Sequence, residues 1–325
     1  MKKIETVSLV GLGGIGSVYL SLISQAIPME NIRVIAGGQR GARYKQKGVT
    51  VNGRAFFFPV CEPGVPGKPS APSEPGAPVE PADLLIFAVK QTRLQEAIED
   101  ARGHLGPDTV VLSLLNGVTS EGIIAEAYGP EHLLYSLVLN TNAVRVGDDT
   151  VYASLGVIPF GEAVNRKGAY SEKVQRVEEF FSRVGIPYDI PEDMIRALWK
   201  KFMANVGGNQ VSALLGCKNK IIRDVASVRD LAAAAAKEVV EVSKAEGTGL
   251  VDEDVQAFVE SVKCQDPEGK TSMLQDIEAG RRTEVDIFGG VVVELAKKHR
   301  LQVPVNEMLL RCIHAKEDIA EFQRG

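Results

Sequence analysis

Residues 4–16 read Ile-Glu-Thr-Val-Ser-Leu-Val-Gly-Leu-Gly-Gly-Ile-Gly. An apolar strand runs into a glycine cluster, and a helical pattern from Ile15 to Ala26 follows. Gly11, Leu12, Gly13, Gly14, Ile15 and Gly16 spell G-x-G-x-x-G at that junction. The first glycine permits the tight turn, the second lets a pyrophosphate approach the backbone, and the third allows close packing of helix on strand. The helix start then offers its free N–H groups and positive dipole end to the phosphates. Taken alone the motif is weak. At a first strand-turn-helix unit it predicts a dinucleotide-binding fold.

Working outward, further buried strands are expected at Asn31 to Ala36, Asp83 to Val89 and Thr109 to Leu115. Helical patterns cover Thr92 to Ala101 and Ser120 to Tyr128. Strands alternating with helices imply a parallel sheet covered on both faces. From about Pro191 only helical patterns remain: Glu192 to Leu215, Asp224 to Ala245, Asp252 to Lys263 and a long stretch after Ser272. The fold class is therefore α/β, an N-terminal Rossmann-type doubly wound sheet followed by a C-terminal all-helical domain. The expected domains are 1–190, binding the dinucleotide, and 191–325, carrying the substrate. Of sixteen prolines, eight fall between Pro59 and Pro81, most at a period of three that matches polyproline II. Residues 59–82 are read as a stiff inserted loop without chemistry.

Composition removes several alternatives. The 325 residues exceed what one hydrophobic core comfortably organises. Acids outnumber Lys plus Arg by 42 to 37, and neither sign forms a block, which argues against nucleic acid as a partner. Cys61, Cys217, Cys264 and Cys312 are dispersed, as are His104, His132, His299 and His314. Neither a metal site nor a disulfide framework is expected, and reduced thiols suit a cytoplasmic protein. No apolar run reaches the roughly 18 residues of a membrane span.

The second strand ends at Ala36-Gly37-Gly38-Gln39-Arg40-Gly41-Ala42-Arg43. An NAD enzyme usually carries an acid here for the ribose 2′-hydroxyl. Instead Arg40, Arg43 and Lys45 cluster, and arginine's planar fork suits a 2′-phosphate. NADP(H) is the expected cofactor, with the gripping arginine left open.

In the helical part, each residue advances about 100° around its axis. With Leu198 at zero, Met194, Phe202, Ile195 and Val206 define a buried stripe. Asn205 and Asn209 fall inside it, provided the helix continues through Gly207-Gly208. Lys201 lies at its edge and Lys200 on the opposite face. Projected over Met273–Lys298, Glu284 falls at the centre of a stripe of Met273, Ile277, Phe288, Val291 and Leu295. A carboxylate there must be paired, protonated or facing a cleft. A structural ion pair would explain Lys201 and Glu284, and capping or packing would explain the asparagines. All four turned inward, in a chain with a dinucleotide fold, favour a substrate site.

These residues resemble the ketopantoate reductase family. The resemblance rests on GLGGIG at 11–16, FAVK at 87–90, LLNGV at 114–118 and LWKKFMANVGGNQVSALLGCKN at 198–219. TSMLQDIEAGRRTEVDIFGG at 271–290 and VPVNEML at 303–309 complete it. The proline run and the glycines before Arg40 depart from the pattern. The resemblance implies hydride transfer from NADPH to the 2-keto carbon of 2-dehydropantoate. It also implies Lys201 as general acid, Glu284 assisting, and Asn205, Asn209 and Asn219 orienting the substrate. Ser272 would hold the substrate carboxylate, while Lys90 and Asn116 would contact the cofactor. Another branched 2-keto acid as substrate is the first alternative, and a non-enzymatic NADP sensor the second. A homodimer could pack through the Ala-rich stretch Leu231–Ala236, although packing within the monomer is the better reading of those alanines.

Overall fold

The structure, a computed structural model, describes residues 2–63 and 81–324, so the proline triplets from Pro66 to Pro78 lie outside the described residues. The chain divides into two compact units, Met1–Met194 and Ile195–Gly325, a division that falls in the first turn of a helix rather than at Pro191.

The first unit opens with β1 (Val7–Val10), α1 (Gly14–Ile23), β2 (Ile32–Ile35), α2 (Gly38–Lys47), β3 (Val49–Val51), β4 (Arg54–Phe56) and β5 (Val60–Cys61). It continues with β6 (Leu84–Phe87), α3 (Leu94–Ala101), β7 (Val110–Ser113), α4 (Ser120–Tyr128) and β8 (Leu133–Ser136). Strands β9 (Val144–Val146), β10 (Asp149–Val151), β11 (Ile158–Gly161), helix α5 (Glu172–Val184) and β12 (Tyr188–Asp189) complete it. An eight-stranded sheet has the order β12-β11-β8-β7-β6-β1-β2-β5. Strands β5, β2, β1, β6, β7 and β8 are parallel neighbours, so the expected doubly wound sheet is present. Val7 and Leu9 enter one apolar layer and Val10 the other, which is why β1 is apolar along its length. From β1 the chain runs to β2 on one side, and β6 later returns on the other. Such a reversal opens a crevice beyond the carboxyl ends of β1 and β6.

A second sheet of order β4-β3-β10-β9 was not anticipated. Its strands are three residues long, and Val144, Val146 and Val151 on it are exposed, so they carry no strand-like burial signal.

Beneath the large sheet, His104 is 1% exposed and shares a 2.9 Å hydrogen bond with Ser8 Oγ. Burial, helped by the charge of Arg33, pushes its pKa down from 6.5 to about 4. Between those values the unfolded chain binds the proton and the folded one does not. Stability is therefore retained above the unfolded value and lost as pH falls toward the folded one, by on the order of 3 kcal/mol. Urea unfolding at about pH 7 and about pH 4.5 should show a larger acid loss for the wild type than for His104→Asn. Equal losses would contradict this.

The second unit is helical: α6 (Met194–Leu215), α7 (Asn219–Asp224), α8 (Ala226–Glu246), α9 (Asp252–Val262), α10 (Ser272–Glu278), α11 (Val291–His299) and α12 (Pro304–Phe322). Helix α6 runs unbroken through Gly207-Gly208. A Cβ at Gly207 would lie 2.7 Å from the Ala232 carbonyl oxygen and 2.9 Å from the Phe258 ring, so glycine lets α8 and α9 close on α6. Ala232, Ala235 and Ala236 are buried by this packing within the chain. The stretch 273–298 is not one helix. It stops after Glu278, with Gly280 at φ +65°, and resumes at Val285 into a π-helical turn, Asp286–Gly290. The projection that centred Glu284 on a continuous stripe therefore fails. Among the described residues, no helix is long and apolar enough to cross a membrane.

Candidate active site

The glycine turn sits in the crevice described above. Gly11 has φ +99°, and a Cβ on it would lie 2.6 Å from the Ala88 carbonyl group, just past β6. A Cβ on Gly16 would lie 2.2 Å from the Gly11 carbonyl oxygen. Both glycines are thus required by backbone in contact with them, as the motif implied. Gly13 precedes the first turn of α1 in extended conformation, so Gly14 and Ile15 stand at the helix start, where backbone N–H groups are available to an anion. Lys90 follows β6 by three residues and Asn116 follows β7 by the same number, which puts both at the carboxyl edge of neighbouring parallel strands.

Beside the turn, Gly37, Gln39, Arg40, Arg43, Pro63, Arg93, Glu96 and Asp100 line an open cleft of about 560 Å³. Arg40 and Arg43 come from α2, as expected. Arg93, immediately before α3, was missed because it lies far along the chain. Burial and the neighbouring Glu96 raise the Asp100 pKa, while Arg40 and Arg93 pull it down. Lys45 does not join the cleft lining; its ammonium is 3.0 Å from Glu62 Oε1. The residues present suit a dinucleotide: glycines that admit a pyrophosphate, and a neighbouring cleft in which three guanidinium groups outnumber the carboxylates of Glu96 and Asp100.

In the second unit, Met194, Leu198, Phe202 and Val206 of the expected stripe are buried while Ile195 is half-buried, and the buried face of α6 extends beyond the stripe over Trp199, Met203 and Gln210. Lys201, Asn205 and Asn209, spaced four apart on one row of the helix, are half-buried along its border. Lys200 is exposed and lies 3.2 Å from Asp254, which also takes Arg196 at 2.9 Å. Gln210, adjacent in sequence and fully buried, is occupied structurally. It donates to Asn306 Oδ1 at 3.0 Å, and Asn306 in turn donates to Glu238 and to the Ala235 carbonyl.

Glu284 is half-buried at the break before the π-turn, where its carbonyl accepts from Ile287. The break itself is anchored: Thr283 donates through both N and Oγ1 to Glu317 Oε1, and Arg281 bonds Asp276 through backbone and side chain. Rings of Phe202 and Phe288 lie 6.5 Å apart, and a Cβ on Gly289 would meet Gln210 Oε1 at 2.3 Å, so the π-turn packs on α6. π-turns of this kind are frequent at functional sites.

Asn219 is the first residue of α7 and Ser272 the first of α10. The Asn219 backbone donates to Gly269 and its amide to Asp266, both at the loop leading to α10. Glu268 in that loop is held by Lys218 and Lys220 at 2.7 and 2.6 Å, which bring its pKa down to about 2. Ser272 is exposed as the first residue of α10, and the cap itself is Thr271, whose hydroxyl accepts from Leu274. Asn219 therefore already has one structural duty.

The family model for ketopantoate reductase PanE/ApbA matches residues 7–165, and the one for its C-terminal part matches 193–317. The 2-dehydropantoate 2-reductase of Pyrococcus abyssi is 32% identical over 72% of this chain and 76% of its own length. The chain belongs to the ketopantoate reductase family. That of Pyrococcus horikoshii is 26% identical over 96% of this chain and 97% of its own. Among solved structures, a D-mandelate dehydrogenase bound to NADH and anilino(oxo)acetate shares the fold at TM-score 0.82 and 23% identity, covering 97% of this chain and 99% of that one. A dimeric ketopantoate reductase from Staphylococcus aureus does so at 0.77 and 18%, with the same coverage. As a member of the ketopantoate reductase family, the protein is an oxidoreductase.

Proposed function

We propose that the protein reduces 2-dehydropantoate to pantoate with NADPH, a step toward pantothenate and coenzyme A. The observation carrying this reading is the arginine-lined cleft beside a glycine turn, in a chain of this family. Gly11 to Gly16 would take the pyrophosphate, Arg40, Arg43 and Arg93 the 2′-phosphate, and Lys90 and Asn116 the cofactor near its reacting end. Bound there, the cofactor supplies a hydride to the 2-keto carbon.

The other residues handle the substrate and the proton. Negative charge grows on the keto oxygen as the carbonyl is reduced, and a cationic donor lowers its energy while delivering a proton. Lys201 Nζ takes that part. Glu284 assists it and positions the substrate, Asn205, Asn209 and Asn219 orient the keto acid by hydrogen bonds, and Ser272 holds its carboxylate. The proposed compartment is the cytoplasm, in keeping with four dispersed cysteines. The proposed assembly is a homodimer, as in the Staphylococcus aureus protein; light scattering would then give twice the 35.0 kDa chain mass.

A second reading keeps the architecture and changes the keto acid, because the same fold also houses a D-mandelate dehydrogenase. Cofactor oxidation followed by absorbance, with 2-dehydropantoate and a panel of other 2-keto acids, separates the two. The first reading expects the highest kcat/KM for 2-dehydropantoate with NADPH. Preference for an aryl or differently branched keto acid would replace it with the second.

A further inference from the structure

The glycine turn and the arginine cleft are joined by a segment that sequence reasoning assigned nothing. Arg145, on β9, donates from Nη1 to the Leu12 carbonyl and lies 3.3 Å from Ser17 Oγ, so its guanidinium spans the glycine turn and the first turn of α1. The Leu12 carbonyl also accepts from the Tyr44 hydroxyl of α2 at 3.3 Å. On its other edge, Arg145 Nη2 lies 3.2 Å from Asp148 Oδ1. The same oxygen lies 3.3 Å from Nε of Arg43, which lines the cleft and has its guanidinium 5.3 Å from the Tyr44 ring centre. One carboxylate oxygen thus ties the arginine at the glycine turn to the arginine of the cleft.

We propose that the β9–β10 hairpin is part of the dinucleotide site, with Arg145 bracing the turn that receives the pyrophosphate and Asp148 holding Arg43 ready for a 2′-phosphate. The inference rests on the NADPH reading above. Asp148 grips Arg43 at Nε, the stem of the fork, and so restricts a flexible side chain before the ligand arrives. A pre-positioned guanidinium loses less freedom on binding than a mobile one. Two guanidinium groups flank Asp148, which keeps its charge from repelling a phosphate nearby. Arg145 serves a part of the cofactor common to NAD and NADP. Asp148 also meets Arg145, which keeps Leu12 and Ser17 as partners without it; through Arg43 it serves the part that differs, and is a positioning residue for cofactor choice.

Isothermal titration of the purified protein with NADP⁺ and with NAD⁺ tests this without turnover. The wild type should bind NADP⁺ more tightly; equal affinities there overturn the cofactor reading and this inference with it. Given that preference, Asp148→Asn should weaken NADP⁺ about tenfold and leave NAD⁺ within about twofold, because the charge-assisted contact it removes is the one that holds Arg43, whose proposed phosphate NAD⁺ lacks. Arg43→Ala should do the same, and the double variant should be no weaker than Arg43→Ala alone. Asp148→Glu, which keeps the charge, guards against a folding artefact and should hold most of the preference. Arg145→Ala should weaken both dinucleotides by a similar factor. An unchanged NADP⁺/NAD⁺ ratio in Asp148→Asn, or additive losses in the double variant, overturns the role of Asp148.

Discussion

Lys201→Ala is expected to lower kcat by about 10²–10⁴-fold, the range for removing a general acid that also stabilises developing charge. The dissociation constant for the dinucleotide should not change, because the proposed cofactor ligands, the glycine turn and the arginines of the cleft, do not include Lys201. Lys200→Ala supplies the contrast. Lys200 is exposed and bound to Asp254, which keeps Arg196 when Lys200 is removed. That variant should retain kcat within a few-fold. Single-turnover measurements would place the Lys201 loss in the chemical step. Full activity in Lys201→Ala, or an equal loss in both variants, would remove Lys201 from its proposed role.

The second large effect is expected from Gly16→Ala. The added methyl would sit 2.2 Å from the Gly11 carbonyl oxygen and 3.3 Å from the Ala88 methyl, and neither is the end of a flexible side chain that could yield. Helix α1 must move away from β1, which spoils the turn where the pyrophosphate is to be received. Affinity for both NADP⁺ and NAD⁺ should fall by about 100-fold or more, equivalent to losing ~3 kcal/mol of binding. Gly122→Ala makes a suitable control. It lies in α4, a Cβ there meets nothing within 4 Å, and the exchange favours a helix. Titration calorimetry on both variants checks the pair, and undiminished binding by Gly16→Ala would refute the close-packing argument.

The sheet's doubly wound character was legible because its signal is local and repeated. Apolar strands buried on both faces, a glycine turn and amphipathic helices recur along the first unit. The second sheet was not legible, because β3 and β10 are three residues long, β10 is largely exposed, and the two pair only after distant parts of the chain meet. The different exposure of Lys200 and Lys201 could be read from periodicity, since α6 is a single regular helix. Around Glu284 the same method misled: Gly280 and the π-turn reset the helical phase, and a fixed 100° step no longer describes the residue's surroundings. Arg93 and Arg145 escaped for a different reason. Nothing in the sequence beside them marks them, and only the folded chain brings one to the α2 cleft and the other to Leu12.

That small sheet also bears on the order in which the protein assembles. Asn52 beside β3 bonds Tyr152 beside β10 across a sequence separation of 100 residues, and Asp149 pairs with Thr50. Contacts so distant along the chain carry a large loop-closure cost and slow folding. The brace across the glycine turn hangs on them, so it is complete only once these remote segments have met. A dinucleotide that favours the completed brace draws the protein toward its fully closed form by mass action. Slower amide exchange in β3 and β10 on adding NADP⁺ would be the mark of that linkage, with the cofactor acting as the last piece of the chain's own architecture.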